Sequence, residues 1–503
     1  MDDNVAKTSA ASVPSAMDKS FFGHPRGLST LFFTEMWERF SYYGMRALLI
    51  LFLTAGAAQG GFSFNVAAAG AVYGLYTAMV YLLSLPGGWI ADRILGQRRA
   101  VLYGGLLIAI GNLTLVVHSV PIFFLGLVII TIGTGLLKPN VSTIVGQIYP
   151  PGDPRRDAGF SIFYMGINLG AFLAPLICGY VGQRINWHLG FGLAGVGMLL
   201  GTLQYWLGGR YLGEAGLHPT PADTVQQQRS VVRRMWMGVA AGLGTLALVA
   251  ALQLSGAVAL TAQLVSDVFG VGLLVTVTAV FAWLLFGGNW TPEERKRLIV
   301  VLVLFVASTI FWSVFEQAGS TLNLFAERST DTTLLGFDFP ASWFQSLNSL
   351  FIIALAPVYA WLWVRLGSRD LSSPAKFSLG LLGASLGFAV LVVPAGRAMQ
   401  GELVSPMFLV LTYFFHTCGE LALSPVGLSA MTKLAPARVG GLLMGVWFLS
   451  ISVGNYLGGR TASLYESLDL PSLFGVVAAV ALAAAVVMAL LVKPVKKMMG
   501  GVN

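Results

Sequence analysis

The stretch Thr34–Arg46, "TEMWERFSYYGMR", lies inside Leu28–Thr54, "LSTLFFTEMWERFSYYGMRALLILFLT", a run otherwise apolar and long enough to cross a bilayer. It carries Glu35, Glu38, Arg39 and Arg46. An ionised side chain at the bilayer centre costs roughly 2.5–3.5 kcal/mol on insertion scales, so four on one span need a reason. At about 100° per residue, Glu35, Arg39, Tyr42 and Arg46 project at roughly 0°, 40°, 340° and 20°, with Glu38 near 300° and Tyr43 near 80°. One stripe narrower than half the circumference holds all six. Glu35 and Arg39 stand i, i+4 apart, a spacing at which opposite charges pair. The rest of the helix is free to face lipid or other helices, and the stripe must line an internal cavity. A buried ion network that only pins helix packing is the plain alternative for a single pair.

The rest of the chain has the composition such a cavity needs around it. Of 503 residues, 56% are hydrophobic and 10% charged, where soluble proteins carry about 25% charged residues. With a mean hydropathy of +0.76, the chain reads as an all-α integral membrane protein. Apolar stretches of spanning length recur at 28–54, 66–92, 99–118, 121–147, 158–182 and 188–210, then at 234–254 and 264–286. They continue at 297–326, 342–366, 376–394, 405–432, 439–463 and 471–492, which makes fourteen transmembrane helices. A run such as "VVAAVALAAAVVMALLV" is helical there, and no β-barrel alternation is seen. The first 27 residues are polar and mixed, without the pattern of a cleavable signal peptide. Cys178 and Cys418 fall within spans and imply no disulfide framework.

The pI near 9.5 raises the question of nucleic acid, and the placement of the charges answers it. Arg39, Arg46 and Lys138 lie within spans, and Arg184, Arg328, Arg397 and Arg460 lie in the loops on one side. The other 23 of the 30 basic residues lie on the side shared by both termini. That asymmetry is the positive-inside signal. The expected location is the cell membrane, multi-pass (the inner membrane in a Gram-negative cell), with both termini cytoplasmic and no nucleic acid partner.

The chain also repeats itself. "KPNVSTIVGQIYP" and "SPVGLSAMTKLAP" each run from one proline to another, Pro139 to Pro150 and Pro425 to Pro436. "PGGWIADRILGQRR" echoes "PVYAWLWVRLGSRD", with Gly96 and Gly367 at matched places, and "MGINLGAFL" resembles "LSISVGNYL". Any one match is compatible with chance; three in the same order indicate two six-helix halves separated by two inserted helices, about 234–286. The expected division is a tail at 1–27, an N-terminal bundle at 28–212 and a linker with the inserted helices at 213–294. A C-terminal bundle at 295–492 and a tail at 493–503 follow. Internal halves around a central site are the layout of secondary transporters. The loop "GGWIADRILGQRR" resembles the loop between the second and third helices of the major facilitator superfamily. That resemblance implies that Asp92, Arg98 and Arg99 latch one face in one conformation.

Three more charges lie in the interior: Lys138 in "LLKPN", Glu316 in "FWSVFEQAG" and Glu420 in "HTCGELALSP". With Glu35, Glu38, Arg39 and Arg46 they make four acids against three bases, one negative charge too many when all are ionised. Arginine does not deprotonate in proteins, whereas a desolvated carboxylate favours its neutral form. A carboxyl that is protonated in one state and ionised in another carries a proton, and Glu316 or a first-helix glutamate is the natural one. A cavity with both signs of fixed charge suits a zwitterion, with Arg39, Arg46 and Lys138 set against Glu420. Tyr42, Tyr43, Tyr81, Trp312 and Trp447 lie near these positions, although each alone also fits bilayer packing.

"EMWERFSYYG" resembles the E-x-x-E-R-F-x-Y-Y-G signature of the proton-dependent oligopeptide transporters, the POT or PTR family of the major facilitator superfamily. "GGWIADR", "LLKPN", "FYMGINLGAF", "FWSVFEQAGSTL" and "GELALSPVGLS" extend the resemblance from the first span to the twelfth. It implies proton-driven symport of di- and tripeptides by alternating access, with no cofactor beyond the proton gradient and a monomer in the bilayer as the working unit. Glu35, Glu38, Arg39, Arg46 and Glu316 would couple protons. Arg46 would pair with Glu316, and Lys138 with Glu420; protonating Glu316 would release Arg46 for the peptide carboxylate, and Glu420 would receive the amino terminus. Tyr42, Tyr43, Tyr81, Asn140, Asn168, Trp312, Asn348, Ser424 and Trp447 match positions that line the family's peptide pocket. Some relatives have a histidine in the second span, and this chain has none there. Proton handling is therefore expected to rest on carboxylates, with His416 a packing residue.

Three other readings weigh less. A proton-coupled carrier of another solute, nitrate or a peptide-like drug, keeps the fold, but several anion-carrying relatives lack the full signature. A membrane enzyme would need an HExxH pair, a Cys/His metal cluster or a GxSxG nucleophile elbow on a strand-to-helix turn, and none of these is present. A nutrient sensor would add a large soluble domain, for which the polar segment 211–232 is too short.

Overall fold

The computed structural model describes residues 18–220, 224–334 and 336–500. The tail and linker assignments at 1–17, 221–223 and 501–503 lie outside the described residues. Among the described residues there are fourteen long helices: α1 Gly27–Thr54, α2 Val66–Leu95, α3 Gln97–Thr114, α4 Val120–Gln147, α5 Arg156–Arg184, α6 Trp187–Gly208 and α7 Val225–Leu254. They continue with α8 Ala262–Gly287, α9 Pro292–Ser329, α10 Ala341–Leu366, α11 Ser373–Ala398, α12 Met407–Leu434, α13 Gly440–Ala462 and α14 Leu470–Met498. Eleven are long and apolar enough to cross a membrane on composition alone. The other three are α1 with its charges, α3, which opens on Gln97-Arg98-Arg99, and α6, which opens on Trp187-His188.

The helices run past the apolar stretches at several ends. α7 begins at Val225, where the Thr224 side chain accepts from the Gln227 N–H as an N-cap. α14 continues through Lys493, Lys496 and Lys497, where cations meet the negative end of the helix dipole. Hydropathy marks the bilayer-embedded part of a helix and is blind to polar turns beyond it.

Matched helix pairs pack alike in the two halves. α1 lies on α5 and α6, and α3 on α4 and α6; likewise α9 lies on α13 and α14, and α11 on α12 and α14. Small residues allow the close contacts, as is usual between membrane helices. A β-carbon on Gly133 of α4 would come within 2.7 Å of the Gly104 carbonyl oxygen on α3. Its counterpart Gly419 on α12, also six residues before the in-helix proline, would come within 2.6 Å of the Gly380 carbonyl on α11. The halves meet along α2–α13 and α5–α10. Of the inserted helices, α8 docks on this first seam, with Asp267 paired to Arg460 at 2.9 Å and Phe269 against Tyr456. The apolar length of α7 is exposed.

Two helices are interrupted at the centre. α2 breaks near Leu83 and passes through a π-helical stretch at Ala91–Leu95. α9 tightens to 3-10 geometry over Glu316–Gly319 and resumes at Thr321. Such irregular backbone is tolerated at membrane depth only where protein covers it, and Glu316 through Ser320 are all buried.

Hydrogen bonds between the halves occur from the middle of the bundle toward the face opposite the termini. Ser452 donates to the Ala78 carbonyl, Asn323 to that of Ala47, Trp343 to that of Leu176 and Ser346 to that of Phe172, over 2.8–3.1 Å. At the surface, Arg184 meets Asp338 at 2.9 Å. On the terminal side Tyr81, Lys138, Glu420 and Ser424 are only half-buried, and Tyr164 is 42% exposed. The central cavity is closed on the face away from the termini and open toward them.

Candidate substrate and proton site

The stripe on α1 is buried along its length: Glu35, Glu38, Arg39, Tyr42 and Arg46 are each at most 5% exposed. Two separate ion clusters form on it. Arg39 bonds Glu35 at 3.0 Å and also contacts Glu38. Two turns farther along, Arg46 crosses to the other half and meets Glu316 at 2.8 Å. The broken turn of α9 presents Glu316 there, and Arg46 Nε also donates to the Tyr73 hydroxyl at 2.7 Å. Tyr73 in turn donates to the Glu316 carbonyl at 3.3 Å. Arg39 lies near the Tyr42 ring and Arg46 near the Tyr43 ring, both 5.5 Å from the centroid.

Lys138 and Glu420 stand apart from these clusters and from each other. The Lys138 ammonium sits 3.6 Å above the Tyr81 ring, a cation–π contact that holds the charge without neutralising it. Glu420 accepts from the Asn348 amide at 2.9 Å, and the same amide also donates to Thr417 at 3.0 Å. The expected Lys138–Glu420 pair is not made: the two residues line different halves of a cavity that is open between them. Among the described ion pairs neither has a partner.

The remaining candidates are placed as follows. Asn140 and Asn168 donate to carbonyls one turn back on their own helices, those of Leu136 and Tyr164. The buried Trp312 indole N–H and Tyr42 hydroxyl have no protein partner. Trp447 is buried and Ser424 half-buried on α12. His416 is packed between Phe315 and Phe388 and lines a small cavity with Tyr43, Arg46, Gln345, Asn348 and Tyr413. "GASLG" at 383–387 has the GxSxG letters but lies mid-helix in α11. Its Ser385 donates to the Ala478 carbonyl at 2.8 Å, so no nucleophile is presented.

The latch residues do not reach the other half. Asp92 accepts from Gln97 at 2.8 Å, and Arg98 donates to the Ala215 and Gly213 carbonyls of its own half. Arg99 is exposed. In a molecule open on this face there is nothing across the gap to hold.

Sequence reasoning missed Tyr73 and Tyr164. Tyr73 sits eight residues before Tyr81 on α2, and Tyr164 sits i−4 from Asn168 on α5, its carbonyl accepting from the Asn168 amide. The same helical spacing that identified the α1 stripe would have found both.

Comparison with known proteins places the chain. The POT family model matches residues 98–479. The chain is 42% identical to the peptide transporter YePEPT of Yersinia enterocolitica, covering 96% of each chain. It is 36% identical to a di-/tripeptide transporter of Lactococcus lactis, covering 97% of this chain and 99% of that one. A solved structure of peptide transporter POT in complex with sulfate superposes with a TM-score of 0.91 at 44% identity, over 97% of this chain and 98% of that one.

Proposed function

The chain belongs to the POT family, and from that premise we propose that it imports di- and tripeptides together with protons by alternating access. One observation carries the proposal. Among the described residues, Lys138 on α4 and Glu420 on α12 face the cavity without ion-pair partners, a positive pole on the N-terminal half and a negative one on the C-terminal half. A short peptide has a carboxylate and an ammonium at its two ends, and binding it across the cavity gives each pole its counter-ion. Longer peptides would have to leave the cavity; single anions would leave Glu420 unmatched.

The coupling proposal follows from the clusters on α1. While Glu316 is ionised it keeps Arg46 and so keeps the face opposite the termini closed. A proton on Glu316 removes the charge that holds Arg46, which frees the guanidinium for the peptide carboxylate and loosens that closure. Glu35, Glu38 and Arg39 form the second proton-handling group, with two carboxylates sharing one cation. Burial keeps water from shunting protons past either group. No bound cofactor enters the cycle, and a single chain with one complete cavity serves as the working unit.

The distribution of basic residues supports a cytoplasmic position for the face bearing the termini. The cavity is then open to the cytoplasm, the state that follows peptide delivery. The test uses purified protein in liposomes with an inward proton gradient. Labelled dialanine should accumulate and the external medium should become more alkaline in step. Accumulation of nitrate with none of dialanine would overturn the substrate class.

A further inference from the structure

At the terminal face, the two halves treat equivalent hollows differently. In the N-terminal half the hollow beneath the α2–α3 turn is filled by the chain itself. Residues 213–220 run through it, with the Arg98 N–H donating to the Gly216 carbonyl at 2.9 Å and the Thr220 N–H to that of Asp92 at 2.8 Å. A β-carbon on Gly216 would lie 2.9 Å from Ile144 on α4. The internal repeat locates the counterpart. Gly96 and Gly367 both take positive φ, 78° and 49°, at the matched turns. Ile144 and Ala430 each follow a matched proline, Pro139 and Pro425, by the same number of residues.

In the C-terminal half that hollow is a cavity of about 490 Å³ lined by the α10–α11 turn, α12 and the end of α14, within the size range of small-molecule sites. Its charged lining consists of Lys376, Lys433, Lys496 and a single acid, Asp370, with Ser372 and Ser429 between them. Asp370 is bonded to Lys376 at 2.7 Å, and with three lysines to one acid the lining has a positive formal charge. The cavity is separate from the central site: on α12, Ser429 and Lys433 point roughly 140° and 180° away from Ser424. Trp363 underlies Lys376 at 4.1 Å, and Leu371 in the lining is 41% exposed.

We infer that this cavity binds the phosphate-bearing headgroup of an acidic membrane lipid, with the acyl chains passing over the exposed Leu371. Basic pockets between helices at the cytoplasmic membrane surface have the right charge and depth for such headgroups. The lysines supply the positive field and the serine hydroxyls donate to phosphate oxygens. The N-terminal half needs no lipid because its own backbone occupies the equivalent hollow. The inference rests on the reading that the terminal face is cytoplasmic.

The test counts phosphatidylglycerol molecules retained by the protein, by native mass spectrometry from nanodiscs of mixed phosphatidylglycerol and phosphatidylcholine. Lys433→Gln and Lys496→Gln should each weaken retention roughly fivefold, the effect of removing one surface lysine. Lys493→Gln and Lys497→Gln, on the same helix but off the lining, should not. Equal retention in all four variants would overturn the site. Displacement of the lipid by millimolar inorganic phosphate would overturn the lipid source in favour of a soluble anion. Dialanine uptake by the same variants in phosphatidylcholine liposomes reports the transport reading separately, because lipid retention does not depend on substrate.

Discussion

Arg46 has two partners with different chemistry, and the difference makes a prediction. Glu316 holds it by charge at 2.8 Å and Tyr73 by a neutral hydrogen bond at 2.7 Å. Glu316→Gln keeps the shape and one acceptor but removes the titrating group. Proton-driven accumulation of dialanine should fall to the undriven level while counterflow exchange persists; driven uptake at the wild-type rate would show that coupling lies elsewhere. Lys138 is the opposite case, a cation that among the described residues rests on the Tyr81 ring with no ion pair. Lys138→Ala should lower apparent peptide affinity by about 10–100-fold, the worth of a hydrogen bond to a charged group, as read from competition by unlabelled dialanine. The charged residues were legible in the sequence because a charge in an apolar span has no cheap alternative explanation. Their partners were legible only in part. Arg39–Glu35 follows from local spacing and Arg46–Glu316 from resemblance. Lys138 and Glu420 lie on different halves, and no spacing within the sequence encodes how far apart the halves hold them.

At the scale of elements, helix existence was readable and helix ends were not. The 3-10 turn at Glu316–Gly319 shows why: it contains no proline to mark it, and it packs against α1 and α13, elements remote in sequence. The "GGWIADR" loop was readable as a motif, yet a motif does not specify a partner, and Asp92 and Arg98 hold residues 213–220 of the same half. The start of α1 gives a pH prediction. His24, just before the helix, bonds the Tyr149 hydroxyl at 2.9 Å, and burial together with the neighbouring Arg155 lowers its pKa from 6.5. The folded contact therefore binds its proton less readily than the free chain does. Its full stability is present above pH 6.5 and is lost as the pH falls through that value toward the lowered pKa. The amide protection factors of residues 19–26, exchange rates corrected for the intrinsic effect of pH, should fall as the pH goes from 7 to 5, and His24→Gln should flatten that profile. A pH-independent profile in the wild type would remove His24 from the account.

For the whole molecule, the internal repeat foretold two matched halves, and the packing of α3 on α4 and of α11 on α12 through glycines at equivalent places is its physical expression. What the repeat left dark is the asymmetry between the halves: the inserted helix α8 on the α2–α13 seam and the charged contact Arg184–Asp338 on the closed face. Those contacts arise where non-equivalent surfaces meet, and a comparison of one half with the other carries no information about them. Alternating access makes the closed face the sharpest place to test the molecule as a machine. Gln183 Oε1 on α5 accepts from the Ser342 N–H on α10 at 3.1 Å, so the two side chains lie on opposite sides of the seam that must part to admit peptide from outside. Joining Gln183→Cys to Ser342→Cys with a reducible bifunctional reagent should stop driven dialanine uptake, and reduction should restore it, while binding from the open face continues in the joined protein. Each single-cysteine variant treated with the same reagent should transport normally, which separates the restraint from chemical damage at native Cys178 and Cys418. Uptake at full rate in the joined protein would mean that peptide passes without the halves separating there, and the rocking motion would have to be replaced by a path through one half.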